Sequence, residues 1–410
     1  MRRLPLFKIA RRNVWRNKRR TAITVAALAS AAGFVVWFSA FGEGFGEKMA
    51  EDVVRSGLGH VVVEPAGFEK NPQVEKFLRS PREVERLVEG RPRVQAWSPR
   101  VEMRGLASSP ENSMGAVIYG VDPRREPRIS ILPRRLAEGE FFREEEERGV
   151  ILGYKMAEVL GVELGDMVAV MVQNVDGEVA AEAYELVGLL RMGNPAFDNG
   201  AVLLPLSQTQ RLLGYEGGYN KIVILAESRA DVENIRDGLA AEVPPGVDVL
   251  AWFEVSPQAF QYYGMMVGLL TFILLLLIVL ASFGTTNTIL MSVLERVNEF
   301  GVMAALGLRP FQVFRLILYE ATVLSALGIA VGLLGGGLAS WINTVYGADL
   351  GAWSGSVGMM GLLDPVVPFV MRPAHFVLGG VTVFVIAMVS AIYPGVKAAR
   401  LRPVAAMRRV

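Results

Sequence analysis

The 410-residue chain contains no cysteine, which excludes a disulfide framework, an iron–sulfur cluster, a haem attachment motif and a thiolate zinc site. That absence does not choose a redox compartment, because oxidising and reducing ones both tolerate it. Histidine is almost as scarce: only His60 and His375 occur, far apart, so no histidine-built metal centre is expected. Net charge is also lacking, since 42 Lys/Arg oppose 41 Asp/Glu for a total of +1, which excludes a strongly basic nucleic-acid binder. Catalytic strings are missing as well. There is no G-x-S-x-G and no H-E-x-x-H, and Gly42–Met49 lacks both the preceding strand and the spacing of a nucleotide-binding loop. His60 lies in a strand-like apolar run without a triad partner, so a structural role is expected of it. Apolar residues are what the chain has in plenty, at 52% with a mean hydropathy of +0.35, too apolar for an ordinary soluble protein of this length.

The apolar residues gather in four stretches near Thr21–Phe41, Met265–Leu290, Leu316–Ile342 and Phe376–Val396. Each is long enough to cross a bilayer core, which takes roughly 20 helical residues. The first is too long for a signal-peptide core and lacks an obvious cleavage site, so a retained membrane helix is expected. Residues 1–20 carry nine Lys/Arg and no acid, and Lys397, Arg400, Arg402, Arg408 and Arg409 follow the fourth stretch, again with no acid. The positive-inside rule places both ends in the cytoplasm, as an even number of crossings requires. Residues 43–263 then lie outside, and their 24 basic against 36 acidic residues agree with that contrast. The overall charge is thus a cancellation between a basic inner side and an acidic outer domain.

The expected architecture is a membrane α-helical fold of four transmembrane helices, with a large α+β extracytoplasmic domain inserted between helices 1 and 2. Residues 1–20 form a cytoplasmic amphipathic helix, with Leu6, Phe7, Ile9, Ala10 and Val14 on one face and basic residues on the other. Transmembrane helix 1 takes 21–42, the periplasmic domain 43–263 and transmembrane helix 2 264–291. A cytoplasmic coupling loop spans 292–312 and transmembrane helix 3 spans 313–342. An outer loop (343–374), transmembrane helix 4 (375–397) and a cytoplasmic tail (398–410) complete the chain. Within the outer domain, strands are expected at His60–Glu64, Val94–Arg104, Gly115–Val121, Tyr184–Leu190, Ala201–Leu204 and Lys221–Ala226. Helices are expected at Pro81–Glu89, Ser207–Leu213 and Ala230–Ala241, and a strand–helix–turn–strand unit at Gly149–Val172, the whole in two lobes. Glu144–Glu147 reads as a solvated turn.

The most informative text is TTNTILMSVLERVNEFGVMAALGLRPFQVFRLILYEA, residues 285–321. Val293, Val297, Phe300 and Ala304 recur at helical spacing, with Glu295, Arg296 and Glu299 expected on the exposed face. Gly307 and Pro310 supply a helix stop and restart. The string ERVNEFGVMAALGLRPFQVFRLILYE resembles the R-x-x-E-(I/F)-G segment of ABC-transporter permeases of the MacB and FtsX superfamily, also called type VII. IARRNVWRNKRRTAIT and YPGVKAARLRPVAAMR resemble that family's opening and ending; Ala304 departs from the arginine that many members carry. The outer-domain text GVILGYKMAEVLGVELGD and LVGLLRMGNPAFDNGAVLLPLSQTQRLL is most similar to the lipoprotein-releasing, LolC/LolE-type permeases.

That resemblance implies a non-catalytic permease subunit of the inner membrane that works by mechanotransmission. ATP hydrolysis in a separate cytoplasmic ABC ATPase, two copies binding ATP and Mg, would move the outer domains. A lipoprotein or other amphipathic substrate would then leave the outer leaflet of the membrane. This chain itself would hold no cofactor and no metal, and would bind no nucleic acid. It would pair with a second copy or a homologous permease, contact membrane lipid and serve a periplasmic lipoprotein carrier. The resemblance assigns ATPase coupling to Glu295, Arg296, Glu299, Phe300, Gly301, Leu306 and Gly307. Substrate-contact candidates near the outer helix ends are Phe41, Phe45, Met49, Phe260, Tyr262, Tyr263 and Met266. The alternatives are an FtsX-like signal transducer regulating a cell-wall hydrolase or envelope response, and a MacB-like efflux permease.

Overall fold

The computed structural model describes residues 6–144, 147–215, 217–305, 308–351 and 365–400. These fall into two compact units, a helical one built from the residues up to Lys48, from Gly264 to Gly351 and from Val366 onward, and an α+β one within residues 49–263.

Four helices among the described residues are long and apolar enough to cross a membrane. The first, Lys18–Val53, is an unbroken 36-residue helix, about 54 Å at 1.5 Å per residue. The second is Pro257–Leu294, the third Pro310–Tyr346 and the fourth Pro373–Ala399. In lipid, no hydrophobic effect drives helices together, so close backbone approach has to. Gly328, Gly332 and Gly336 recur every four residues and line one face of the third helix. They meet Leu28, Ala29 and Gly33 of the first helix, where a side-chain carbon on Gly332 would overlap the Ala29 carbonyl oxygen. Gly379 of the fourth helix approaches Val36 and Ala32 in the same way. Leu28, Ala32, Val383 and Ala387 form the buried core of that junction. The second helix differs: no residue of its most apolar stretch is buried. Its polar C-terminal part is held by Thr286 Oγ1, 2.9 Å from Ser390 Oγ of the fourth helix.

The N-terminal helix, Leu6–Arg16, buries Leu6, Ala10 and Val14 and leaves Lys8, Arg11 and Arg12 exposed. Phe7, expected on the apolar face, is 53% exposed and rests edge-on against Tyr319. At the other end of the helical unit, the strap Val366–Phe369 lies along the first helix. The Val370 amide donates to Ala40 O at 3.1 Å, and Arg372 reaches Glu43 and Glu47 at 2.7 and 2.8 Å.

The α+β unit contains β1 (Val61–Pro65), β2 (Val94–Ser108), β3 (Ser113–Val121), β4 (Leu136–Gly139) and β5 (Gly149–Gly153). It continues with β6 (Met167–Gln173), β7 (Val179–Leu190), β8 (Ala201–Pro205), β9 (Lys221–Ala226) and β10 (Val247–Ala251). All ten strands join one sheet, so the two expected lobes share a continuous backbone ladder. The pairings β2–β3–β8–β5–β7–β6 return to β2 and close a ring, which leaves these strands few free edges. From the first half of β2 the order β9–β1–β10 extends outward as an antiparallel wing. Helices Pro81–Glu89 and Val232–Ala240 cover one face of that wing, where Val84, Val88, Ile235 and Leu239 meet Val61, Val63, Ile222 and Ile224. Strand β2 runs four residues past its expected end because it must serve both ring and wing. Strand β9 is buried throughout and, after Lys221, reads as an apolar run, IVILA, because it lies in the interior of the wing between β1 and β2.

Substituting Gly332→Val should force the first and third helices apart. We expect a loss of about 2 kcal/mol or more in stability, read as a lowered thermal midpoint of the detergent-solubilised chain. Gly335→Val, where the added carbon meets open space, should leave the midpoint unchanged.

Candidate functional site

The second long helix stops at Leu294, and a short helix, Val297–Ala305, follows after two residues. Pro310 then opens the third long helix, with Gln312 Oε1 accepting from the Arg309 amide at 2.8 Å. Val293 and Val297 are buried, in keeping with the apolar spacing read from the sequence. Val293 packs with Ala10 of the N-terminal helix, Val313, Leu316 and Ile317 of the third helix, and Ala391 of the fourth. Gly301 is also buried, whereas Glu295 is exposed and Glu299 partly so. Leu306 and Gly307 lie outside the described residues, as does the side chain of Phe300.

Arg296 corrects the sequence expectation. It was expected on the exposed face, but its side chain is only 8% exposed because a buried carboxylate reaches it from another helix. Its terminal nitrogen donates to both oxygens of Glu320 at 2.9 Å, and its Nε donates to Glu299 Oε2 at 2.8 Å. Glu320 also accepts from Asn13 Nδ2 at 2.8 Å, and Arg16 pairs with Glu299. Arg20 lies 3.7 Å from Glu295. Sequence reasoning missed Glu320, although a signal was present: it is the single acid in Pro310–Tyr346, and an ionisable residue in such a helix needs a partner.

The substrate-contact candidates occupy two different kinds of surroundings. Phe41 belongs to a ladder of rings on the first helix, Phe34, Trp37, Phe38, Phe41 and Phe45, closed by buried Phe369 of the strap. Phe45 and Met49 are themselves buried, at 4% and 1% exposure. In the α+β unit, Phe260 and Tyr263 stack edge-on to Trp252, and Arg229 lies 5.7 Å from the Tyr263 ring centroid. Phe260 remains 46% exposed, and Tyr262 and Met266 are half-buried. An apolar cleft of about 160 Å³ opens within the helical unit, walled by Ala31 and Phe34 of the first helix, Leu277 and Ala281 of the second, and Val383 and Ile386 of the fourth.

Within the α+β unit, the residues that follow the first helix are held to the sheet by polar contacts. Gly57 and Gly59 take positive φ, at 129° and 69°, and turn the chain into β1. Buried Arg100 donates to Gly57 O and pairs with Glu126, which also accepts from Ser130. The Ile131 amide donates to Arg55 O at 3.0 Å, and the His60 amide to Ile224 O at 2.8 Å. His60 Nδ1 accepts from the Ala226 amide at 3.1 Å, so the imidazole carries its proton on Nε2, and burial holds its pKa below the usual value. It acts as a strand-to-strand connector. Gly42–Met49 lies within the long helix and forms no loop. Among the described residues no set of three or more His, Asp or Glu side chains could hold a metal ion.

One further polar cluster lies in the wing. Lys221 is buried among Glu102 (2.8 Å), Glu69 (3.1 Å) and Glu64 (3.9 Å). Burial pushes the Glu64 carboxyl up to about 7, against the pull of Lys221 and the Glu69 amide.

Four candidate membrane helices, a short helix packed against the ends of three others, and one large mixed-sheet domain define the class: a multi-helix membrane component with a folded domain set between its first two long helices. The FtsX-like permease C-terminal model matches residues 271–403, and the MacB-like periplasmic core domain model matches residues 21–242, more than half of the chain. The chain belongs to the MacB and FtsX superfamily of ABC-transporter permeases. It is 22% identical over 336 residues to the lipoprotein-releasing system transmembrane protein LolC of Xylella fastidiosa, covering 77% of this chain and 78% of that one. It is also 22% identical over 361 residues to the macrolide export ATP-binding/permease protein MacB of Neisseria gonorrhoeae, covering 83% of this chain and 53% of that one. Among solved structures, the periplasmic region of MacB from Actinobacillus actinomycetemcomitans matches at a TM-score of 0.36 and 11% identity, over 51% of this chain and 96% of that one.

The Glu64 carboxyl, raised from 4.5 to about 7, holds its proton more tightly in the folded state. Folding is therefore favoured at low pH, and this contribution is lost as pH rises from the unfolded value through 7. Glu64→Gln should match the wild type in thermal stability at pH 4 and exceed it at pH 8 by about 3 kcal/mol. Equal midpoints at both pH values would show that Glu64 titrates normally.

Proposed function

We propose that this permease couples ATP hydrolysis in a separate cytoplasmic ATPase to release of a lipoprotein or similarly amphipathic substrate from the outer leaflet of the inner membrane. The observation that carries the reading is the first long helix. It runs from the basic cluster Lys18–Arg20 to Val53, and the residues just beyond are locked onto β2 and β9 by Arg100 and the His60 amide. At about 54 Å it exceeds the ~30 Å hydrocarbon core, so a tilt or shift at one end is delivered mechanically at the other.

The basic ends support cytoplasmic termini, four crossings and an outer α+β domain. Two ATPase copies, binding ATP and Mg, would engage the short helix Val297–Ala305 of two paired permeases, with exposed Glu295 just before it. The apolar cleft between the first, second and fourth helices would receive acyl chain. Each buried methylene is worth roughly 0.8 kcal/mol, so extracting such a chain needs an energy source. A periplasmic carrier would take the released lipoprotein.

Depletion of the protein should leave outer-membrane lipoproteins stranded in the inner membrane. Normal sorting combined with defective wall cleavage would instead favour an FtsX-like transducer, and normal sorting with lost drug tolerance a MacB-like exporter. At the residue level, Ala281→Phe, which fills the cleft, should lower release at least about tenfold while leaving ATP hydrolysis intact. Unchanged release would remove the cleft from the mechanism.

A further inference from the structure

We propose that Glu320 is the positioning residue that receives motion of the short helix through Arg296, so that this arginine faces into the permease and not the ATPase. The inference rests on the coupling reading above and assigns its internal route. Arg296 is the only cation on the segment between the second helix and Leu308, and its side chain is turned inward, 8% exposed. It meets a carboxylate that is 11% exposed and that projects from an otherwise apolar part of the third helix.

Four elements converge on this pair. Glu320 holds Arg296 at 2.9 Å and Asn13 at 2.8 Å, and Arg296 also holds Glu299 at 2.8 Å, which in turn pairs with Arg16. The N-terminal helix, the connector that follows the second helix, the short helix and the third helix are thus joined by charge-assisted bonds that resist sliding. Arg16, Arg20 and Arg296 balance Glu295, Glu299 and Glu320, so the cluster is neutral as a whole. The third helix then abuts the first through Gly332 and Gly336, with backbones too close to slip independently. A push on the short helix therefore reaches the first helix by way of Glu320 and the third helix, beside the longer and more exposed contact of Arg20, on the first helix, with Glu295 at 3.7 Å. The alternative route, straight up the second helix, passes through a stretch with no buried residue to transmit it.

Because the chain lacks cysteine, a single reporter is unique: Gly42→Cys, on the first helix, where the added carbon meets open space. The complex purified with its ATPase is reconstituted, and maleimide labelling is timed with and without vanadate and ATP. We expect a change of about threefold or more in the parent. Glu320→Gln keeps the Asn13 bond but loses the charge. It should retain ATPase capture and hydrolysis within about twofold, yet show almost no nucleotide-dependent change in labelling. The exchanged pair Arg296→Glu with Glu320→Arg should recover much of the response, which a mere folding role would not predict. An unaltered response in Glu320→Gln overturns the proposal, as does loss of ATPase capture by Arg296→Gln with capture by Glu320→Gln unaffected, because Arg296 would then contact the ATPase directly. If the parent hydrolyses ATP without any change at Gly42→Cys, the coupling reading itself falls, and this inference with it.

Discussion

A charge placed among apolar helices persists only when another charge meets it, and the pair Arg296–Glu320 satisfies that condition for the end of the helical unit that holds the short helix. Removing one partner of such a pair typically costs about 3–5 kcal/mol, because the other charge is left buried and alone. The constraint fixes more than one contact. Arg296 can reach Glu320 only if the chain turns sharply after Leu294 and if the third helix restarts at Pro310 close by. It also fixes the N-terminal helix, since Asn13 completes the carboxylate's hydrogen bonds and Arg16 completes those of Glu299.

The remaining helix packing follows a different rule. Where no polar bond is available, the first, third and fourth helices approach through small residues, and dispersion between backbones replaces the hydrophobic effect. The second helix has few such residues along its central stretch, LLTFILLLLIVL, and makes correspondingly little buried contact there. Its large side chains leave the apolar cleft beside Ala31 and Phe34. The same sequence feature thus accounts both for the helix's loose packing and for the space beside it.

In the α+β unit, strand positions were legible because alternation and apolar runs report burial directly. Val63 and Ile224 could be placed in strands without knowing their neighbours. Pairing was not legible. That β6 would return to β2 and close a ring depends on residues more than 60 positions apart, such as Ala107 and Val170, whose meeting no local pattern encodes. The segment after the second helix was legible as helical, although Val293 and Val297, read on one helix, fall on two, and the direction of Arg296 was misread. A helical wheel sees one helix, and the carboxylate that turned the arginine inward stands on another. Likewise Phe41 reads as a substrate-contact candidate from its own helix, whereas Phe369, more than 320 residues later, packs against it.

The amino-acid sequence alone determined the class of protein. Long apolar runs, the separation of basic ends from an acidic middle, and three family-like segments all act through local composition, which needs no partner to be read. Tertiary structure alone decided which polar groups are satisfied and by what. The pairing of Arg296 with Glu320, the burial of Lys221 among three glutamates and the capture of Gly57 by Arg100 each depend on distant groups being brought within about 4 Å. Such proximity is set by the packing of whole elements, and no stretch of residues contains it.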